Sequence, residues 1–392
     1  MNRNLLLLAF CQGLFLINNV TFIAINGLVG LALAPFPWMA TLPIMAYVVG
    51  GAMAAPLVAR TQSRFGRRGS FQIGLVVALG SALLAAVAAQ NDSFWLLILA
   101  TVVAGYYNAN GQLYRFAATE LTHPAWHEKA VSLVLAGGLL GGIVGPNLAN
   151  WTRAALSVPF VGAYLALSVV ALLSMGVMAL IKFPPEPAHT RQMAKGRPMG
   201  QIMRQPVFFV ATLAAAISYG VMNLLMAATP LVMDVHQFQF GHIAMVLEWH
   251  VIGMYAPGFF TGHLIRRFGV LEVMGAGVLV MVACVVVALS GTTMAHFMAA
   301  LILLGVGWNF LFTGSTTLAI RGYRPEEKDR AQGALNFWVF ITMAVTSFTS
   351  GAVATTSGWA WLNIGALPCL LLVALALAWL WLHDRRQLAP QT

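Results

Sequence analysis

The feature that most constrains this chain is a series of uncharged apolar stretches, separated by short clusters of Arg and Lys. Each stretch runs about twenty residues or more, enough for a helix to cross the roughly 30 Å hydrocarbon core of a bilayer. Of the 392 residues, 60% are hydrophobic and 8% charged, whereas soluble domains carry about 25% charged residues. No soluble core absorbs that much apolar side chain, so the chain reads as a polytopic α-helical membrane protein. The formal net charge of +10 then reports topology, and nucleic acid is not an expected partner, because the basic residues punctuate apolar spans.

With Pro, Gly and charge clusters as boundaries, helices are predicted near 5–31, 38–59, 70–90, 94–115, 130–152 and 157–181, then 206–230, 243–264, 271–290, 295–320, 332–356 and 360–382. The first segment is too long for a signal-peptide core and is read as a retained span. Alternate loops collect the charge: Arg60, Arg64, Arg67 and Arg68 in one, Lys182, Arg191, Lys195, Arg197 and Arg204 in another, Arg321, Arg324, Lys328 and Arg330 in a third. Of the 21 basic residues only Arg153 lies on the opposite side. The positive-inside rule therefore predicts an even number of spans, with both termini cytoplasmic in a bacterial inner membrane. Cys11, Cys284 and Cys369 lie in separate apolar segments, without metal-ligand or disulfide spacing.

The longest polar interval, 182–205, separates a bundle over 1–181 from one over 206–392 and reads as a cytoplasmic linker. Arg64-Phe65-Gly66-Arg67 after the second predicted span recurs as Arg267-Phe268-Gly269-Val270 after the eighth, an offset of 267 − 64 = 203 residues, close to half the chain. This places an internal duplication where two six-helix halves would put it.

On these residues the chain resembles the major facilitator superfamily over its whole length. Ser63-Arg64-Phe65-Gly66-Arg67-Arg68 is similar to that family's Asp-Arg-x-Gly-Arg-Arg loop, with Ser63 in place of the acid. Gly137-Gly138, Gly141-Gly142 and Gly145-Pro146 resemble its Gly-x-x-x-Gly-Pro helix, with Ala149-Asn150 where Gly-Gly is usual. Glycines at four-residue spacing let helices approach closely, and Pro allows a bend. The resemblance implies twelve transmembrane helices in two pseudo-symmetric six-helix halves and secondary transport by alternating access. No phosphate-cradling loop or nucleophile with a base is present, so ATP hydrolysis and enzyme activity are not expected.

Candidate site residues are the polar ones at membrane depth. Asn108, Asn110 and Gln112, in the fourth predicted span, line a cavity or bond a neighbouring helix; Glu248, the one acid placed in the interior of a span, is a candidate for proton coupling. Met222-x-x-x-Met226 and His250-x-x-x-Met254 each place two soft or borderline ligands on one helical face. By helical rise, Met222 and His250 lie about 5 Å outward of the midplane, Met226 about 12 Å outward and Met254 near it. Thioether and imidazole suit cuprous ion, although methionine pairs on apolar helices commonly only pack. The four positions resemble those of CcoA-type copper importers, a branch that supplies copper for haem-copper oxidase assembly. The resemblance implies import of copper, free or chelated, as substrate rather than cofactor, by a monomer handing it to a cytoplasmic acceptor. The linker residues His189, Met193, Met199 and Met203 are further candidate receivers. The same wider family includes riboflavin transporters, so the alternative is a proton-coupled carrier of a small organic molecule such as riboflavin or a drug. A non-transporting receptor on the same fold is the remaining alternative.

Overall fold

The structure, a computed structural model, describes residues 2–123, 126–184, 197–324 and 327–388. His189 and Met193 lie outside the described residues. The first part of the chain forms α1 (Arg3–Leu33), α2 (Leu42–Gln90), α3 (Phe94–Gly111), α4 (Tyr114–Glu120), α5 (His127–Thr152) and α6 (Val161–Leu180). A short α7 (Met199–Met203) in the linker precedes α8 (Pro206–Val235), α9 (Phe240–Tyr255), α10 (Gly258–Phe268), α11 (Val270–Ser290), α12 (Met294–Ala319), α13 (Lys328–Thr356) and α14 (Trp359–Leu388).

Each of the twelve predicted segments is helical, with three differences in how they are joined. The second and third are one continuous α2 that turns at Gly66, where φ is 68° and ψ 178°. The fourth ends at Gly111 and restarts as α4. The eighth is broken into α9 and α10, which meet at an angle of 40°. Among the described residues nine helices are long and apolar enough to cross a membrane, or ten with the bent pair as one span. The α2 stretch accounts for two predicted spans, and α3, whose last turn is Asn108-Ala109-Asn110-Gly111, is not among the nine. Large apolar side chains such as Trp95, Val169, Leu279 and Leu371 are exposed on the helix surfaces, as lipid-facing positions require.

The helices group into two compact units. The first comprises residues 1–189, 226–252 and 347–358; the second comprises 190–225, 253–346 and 359–392. Within the first, small residues bring backbones into contact: an added Cβ at Gly137 would collide with the Ala9 carbonyl, and one at Gly141 with Leu16 and Ile17. The Gly-Pro stretch of α5 thus packs on α1, and the Thr21 hydroxyl donates to the Gly145 carbonyl at 2.8 Å. Within the second unit, Gly307 and Gly314 of α12 make room for Met281 and Met274 of α11. Gly66 and Gly269 share a further property. Both have positive φ, 68° and 106°, the region that a Cβ disfavours, so the duplicated loop keeps glycine for the same backbone reason in each copy.

Candidate functional site

The four candidate metal ligands are all buried: His250 is 0% exposed, Met222 2%, Met254 6% and Met226 8%. Met222 and Met226 stand one turn apart on α8, with His250 and Met254 one turn apart on α9. The division into units falls inside each pair, with Met222 and Met254 in the second unit and Met226 and His250 in the first. Among the described residues no three His, Cys, Asp or Glu side chains come together as a metal-binding group.

Glu248 lies two residues before His250 and has a partner that sequence reading did not supply. Asn147 of α5 donates from Nδ2 to Glu248 Oε2 at 2.8 Å, and both residues belong to the first unit. Asn147 directly follows Gly145-Pro146; an amide beside a helix-bending dipeptide was the available signal. The Glu248 side chain is half-buried and accepts this hydrogen bond from a neutral amide.

The α3 amides take different roles. Asn110 is fully buried, and its Oδ1 accepts from the Ser70 hydroxyl of α2 at 3.1 Å. Ser70 in turn is 2.9 Å from Thr61, which is 2.8 Å from the Tyr106 hydroxyl. This amide therefore fastens α3 to α2. Asn108 faces α1: Asn19 Nδ2 donates to Asn108 Oδ1 at 3.4 Å and to the Tyr47 hydroxyl at 3.0 Å. Gln112, beyond the end of α3, is half-buried.

The break between α9 and α10 is organised by α12. Pro257 has no N–H to give the Gly253 carbonyl, and the helix stops at Tyr255. Asn309 donates from Nδ2 to the Met254 carbonyl at 2.7 Å, while its Oδ1 accepts from the Thr261 hydroxyl, also at 2.7 Å. One side chain thus holds both sides of the break. Beside it stands an aromatic cluster. Trp308 stacks on Phe312 with centroids 5.1 Å apart and meets Tyr219 edge-on at 5.3 Å and Tyr255 at 6.4 Å. Trp308 is 6% exposed, and its indole Nε1 has no hydrogen-bond partner among the described residues. An indole N–H is a donor only, and leaving one buried without an acceptor is costly. Flat rings around such a donor form a surface suited to a planar molecule bearing a carbonyl or ring nitrogen.

The model of the Major Facilitator Superfamily matches residues 5–338 and 213–392. The chain belongs to this superfamily. It is a multi-pass membrane protein of the secondary-transporter class. Among curated relatives, it is 36% identical over 381 residues to the riboflavin transporter RfnT of Brucella anthropi, covering 96% of this chain and 95% of the relative. It is 28% identical over 357 residues to YddS of Bacillus subtilis, an uncharacterised transporter of the same type, covering 86% and 81%. Among solved structures it resembles a bacterial homologue of the lysosomal transporter Spinster, inward-facing and occupied, with a TM-score of 0.71, 16% identity and coverage of 97% and 96%. The human organic anion transporter MFSD10 gives 0.68, 15% identity and coverage of 96% and 100%. At such identities these structures establish the fold alone.

Proposed function

We propose that this transporter carries a small, planar organic molecule of the riboflavin type across the bacterial inner membrane, with both termini cytoplasmic. The observation that carries the reading is the 36% identity to a riboflavin transporter along nearly the whole length of both chains. The cluster of Tyr219, Tyr255, Trp308 and Phe312, with an indole N–H that has no acceptor among the described residues, supports it. Flat rings recognise a flat heteroaromatic, and a buried donor selects a ligand that accepts from it. Glu248 is assigned as the proton carrier: protonation would exchange the bond accepted from Asn147 for a neutral pairing without leaving a buried charge. Replacing Glu248 by Gln should abolish accumulation against a gradient and leave exchange of internal for external substrate; loss of both would remove Glu248 from the coupling role.

Copper import is the second reading, favoured by the burial of a methionine-histidine set at Met222, Met226, His250 and Met254. One experiment separates the two. Uptake of riboflavin and of radiolabelled copper is measured in the same cells expressing wild type, Met222→Ala, His250→Ala or Trp308→Phe, beside an empty vector and with membrane levels matched. Riboflavin uptake above the vector, with a KM raised about three- to ten-fold in Trp308→Phe, the value of one lost hydrogen bond, is the expected result. Copper uptake that depends on Met222 and His250, with riboflavin at the vector level, would replace it by copper import.

A further inference from the structure

The first unit contains a second chemically distinctive place, far from the aromatic cluster in sequence. A cavity of about 550 Å³ is floored by the last turns of α1 and walled by Arg153, Phe160, Asp234, Gln237, Gln239 and Phe240. It lies at the end of this unit opposite the N-terminus, which is tied by Asn2 to the Leu121 carbonyl and by Asn4 to the Lys182 carbonyl. Its size is within the range of small-molecule sites.

The walls are built by two connections of unusual backbone. Between α5 and α6, Phe160 has φ 66°, and its N–H bonds the Arg153 carbonyl at 2.7 Å. Between α8 and α9, Gln237 has φ 62°, and its N–H bonds the Asp234 carbonyl at 2.8 Å. Left-handed backbone is costly for residues with a Cβ, and such positions concentrate where loops hold functional groups. Among the described residues, two of the three positive-φ residues other than glycine lie here, and both connections line the same cavity. Arg153 is the one basic residue outside the clustered loops, which removes a topological reason for its charge. Its guanidinium stands 5.3 Å from the centroid of Phe240, and Phe160 meets that ring edge-on at 5.5 Å.

The lining therefore offers one fixed cation, one exposed carboxylate, two exposed amides and aromatic edges. An anionic ligand would face Asp234 and a cationic one Arg153, so the set matches a ligand of zero net charge. Arg153 can donate to an acceptor, Asp234 can accept from a donor, and the glutamines can do either. A neutral heteroaromatic whose rim alternates carbonyl groups and an N–H, the imide pattern of a flavin ring, supplies all three and presents its apolar ring carbons to the aromatic edges. We propose that this cavity is a capture site at which such a molecule binds before translocation. The proposal rests on the organic-substrate reading for its ligand class.

The test uses full-length protein and riboflavin. In cells, Arg153→Gln and Asp234→Asn should each raise the KM of uptake about ten-fold, the contribution of one charge-assisted hydrogen bond, with Vmax unchanged. With purified protein, each should weaken quenching of riboflavin fluorescence by a similar factor. Unaltered thermal unfolding of both variants would establish that they fold. Wild-type uptake with variants of unchanged KM, or with a Vmax effect alone, overturns the capture site and leaves the transport reading standing. Absence of wild-type uptake overturns the transport reading; the site would then survive only if purified wild type binds riboflavin and the two variants bind it weakly. Binding that is absent or indifferent to the variants overturns the site.

Discussion

The same piece of architecture is built in the two halves of the sequence and finished differently. In the first, Gly50 of α2 lies against the Val102 carbonyl of α3; in the second, Gly253 of α9 lies against the Ile302 carbonyl of α12. The offset from Gly50 to Gly253 is 203 residues, the same as from Gly66 to Gly269. An asparagine follows each contact. Asn108 lies beside Gly51 and accepts a bond from Asn19 of α1, whereas Asn309 donates to the Met254 carbonyl. Each half also has a proline, but in that register Pro257 falls level with Ala54, two residues before Pro56. At Pro56 the helix continues, and at Pro257 it breaks. Beside the break at Pro257 the facing helix offers an amide to a backbone carbonyl, whereas Asn108 of the first half is engaged with α1; the two halves differ in whether the facing amide supports an opened backbone.

The largest difference expected between the halves concerns their loops. Arg67 holds Glu120 by two bonds of 2.9 and 2.7 Å, and both side chains are partly exposed. In the second half Val270 stands where Arg67 does, and the acid is held from elsewhere. Arg197, from the linker, makes bonds of 2.8 and 2.6 Å to the two oxygens of Glu327, and the backbone N–H groups of Arg197 and Arg324 add two more. The Glu327 side chain is fully enclosed. Arg67→Ala should cost about 0–1 kcal/mol, and Arg197→Ala considerably more, because an enclosed carboxylate loses its counter-charge. The Arg197 guanidinium holds the Glu327 carboxyl well below the usual carboxylate range. Its contribution is therefore complete above about pH 4.3, the ordinary glutamate value, and declines as pH falls below it. Thermal unfolding in detergent at pH 7 and pH 4 should show the Arg197→Ala deficit shrinking in acid; a deficit independent of pH would mean that the ion pair is not its source.

Next in size is the amide pair. Asn309→Leu leaves the Met254 carbonyl without this partner, at about 1–3 kcal/mol for a buried group left unsatisfied, while the Thr261 hydroxyl keeps the Pro257 carbonyl at 2.8 Å. Asn108→Leu removes one long bond of 3.4 Å and should cost less. Equal losses in unfolding free energy would abolish the distinction drawn between the two sites. A functional counterpart follows for the prolines: Pro257→Ala restores an N–H for the Gly253 carbonyl and should lower substrate uptake several-fold, while Pro56→Ala, in a helix that is not broken, should leave it near wild type.

How far the sequence discloses these features depends on whether a residue signals locally or through a partner distant in the chain. Span positions were readable because twenty apolar residues specify a membrane helix by themselves, and Gly66 and Gly269 because a repeated glycine marks a special backbone. The break after Tyr255 was not, since Pro56 and Pro257 look alike until the facing Asn309 is known. Glu248 was legible as an acid at depth, but its bond to Asn147 spans 101 residues. Trp308 is inconspicuous for a related reason: an indole among apolar residues is ordinary, and only the lack of an acceptor around Nε1 among the described residues distinguishes it. The methionine and histidine motifs show the converse. Spacing brought four potential ligands of two types into view, whereas the substrate reading came from a whole-length relative that is a riboflavin transporter.

The smallest contrast lies in the two loop glycines. Neither Gly66 nor Gly269 can take a side chain without strain, since both have positive φ. At Gly66 nothing lies within 4 Å of the added Cβ, so Gly66→Ala should cost only the backbone strain of this glycine-only region, φ 68° with ψ 178°, about 1–3 kcal/mol. At Gly269 the Cβ would also run into the carboxylate of Glu272, in the first turn of α11. That carboxylate is at the end of a flexible side chain and can move, so the added cost is the loss of a favourable charge at a helix N-terminus, about 0.3–1 kcal/mol. Gly269→Ala should thus be the more destabilising by that amount, and in a Glu272→Gln background the two substitutions should become equal. A difference that persists without the Glu272 charge would place its cause in the α10 to α11 backbone itself.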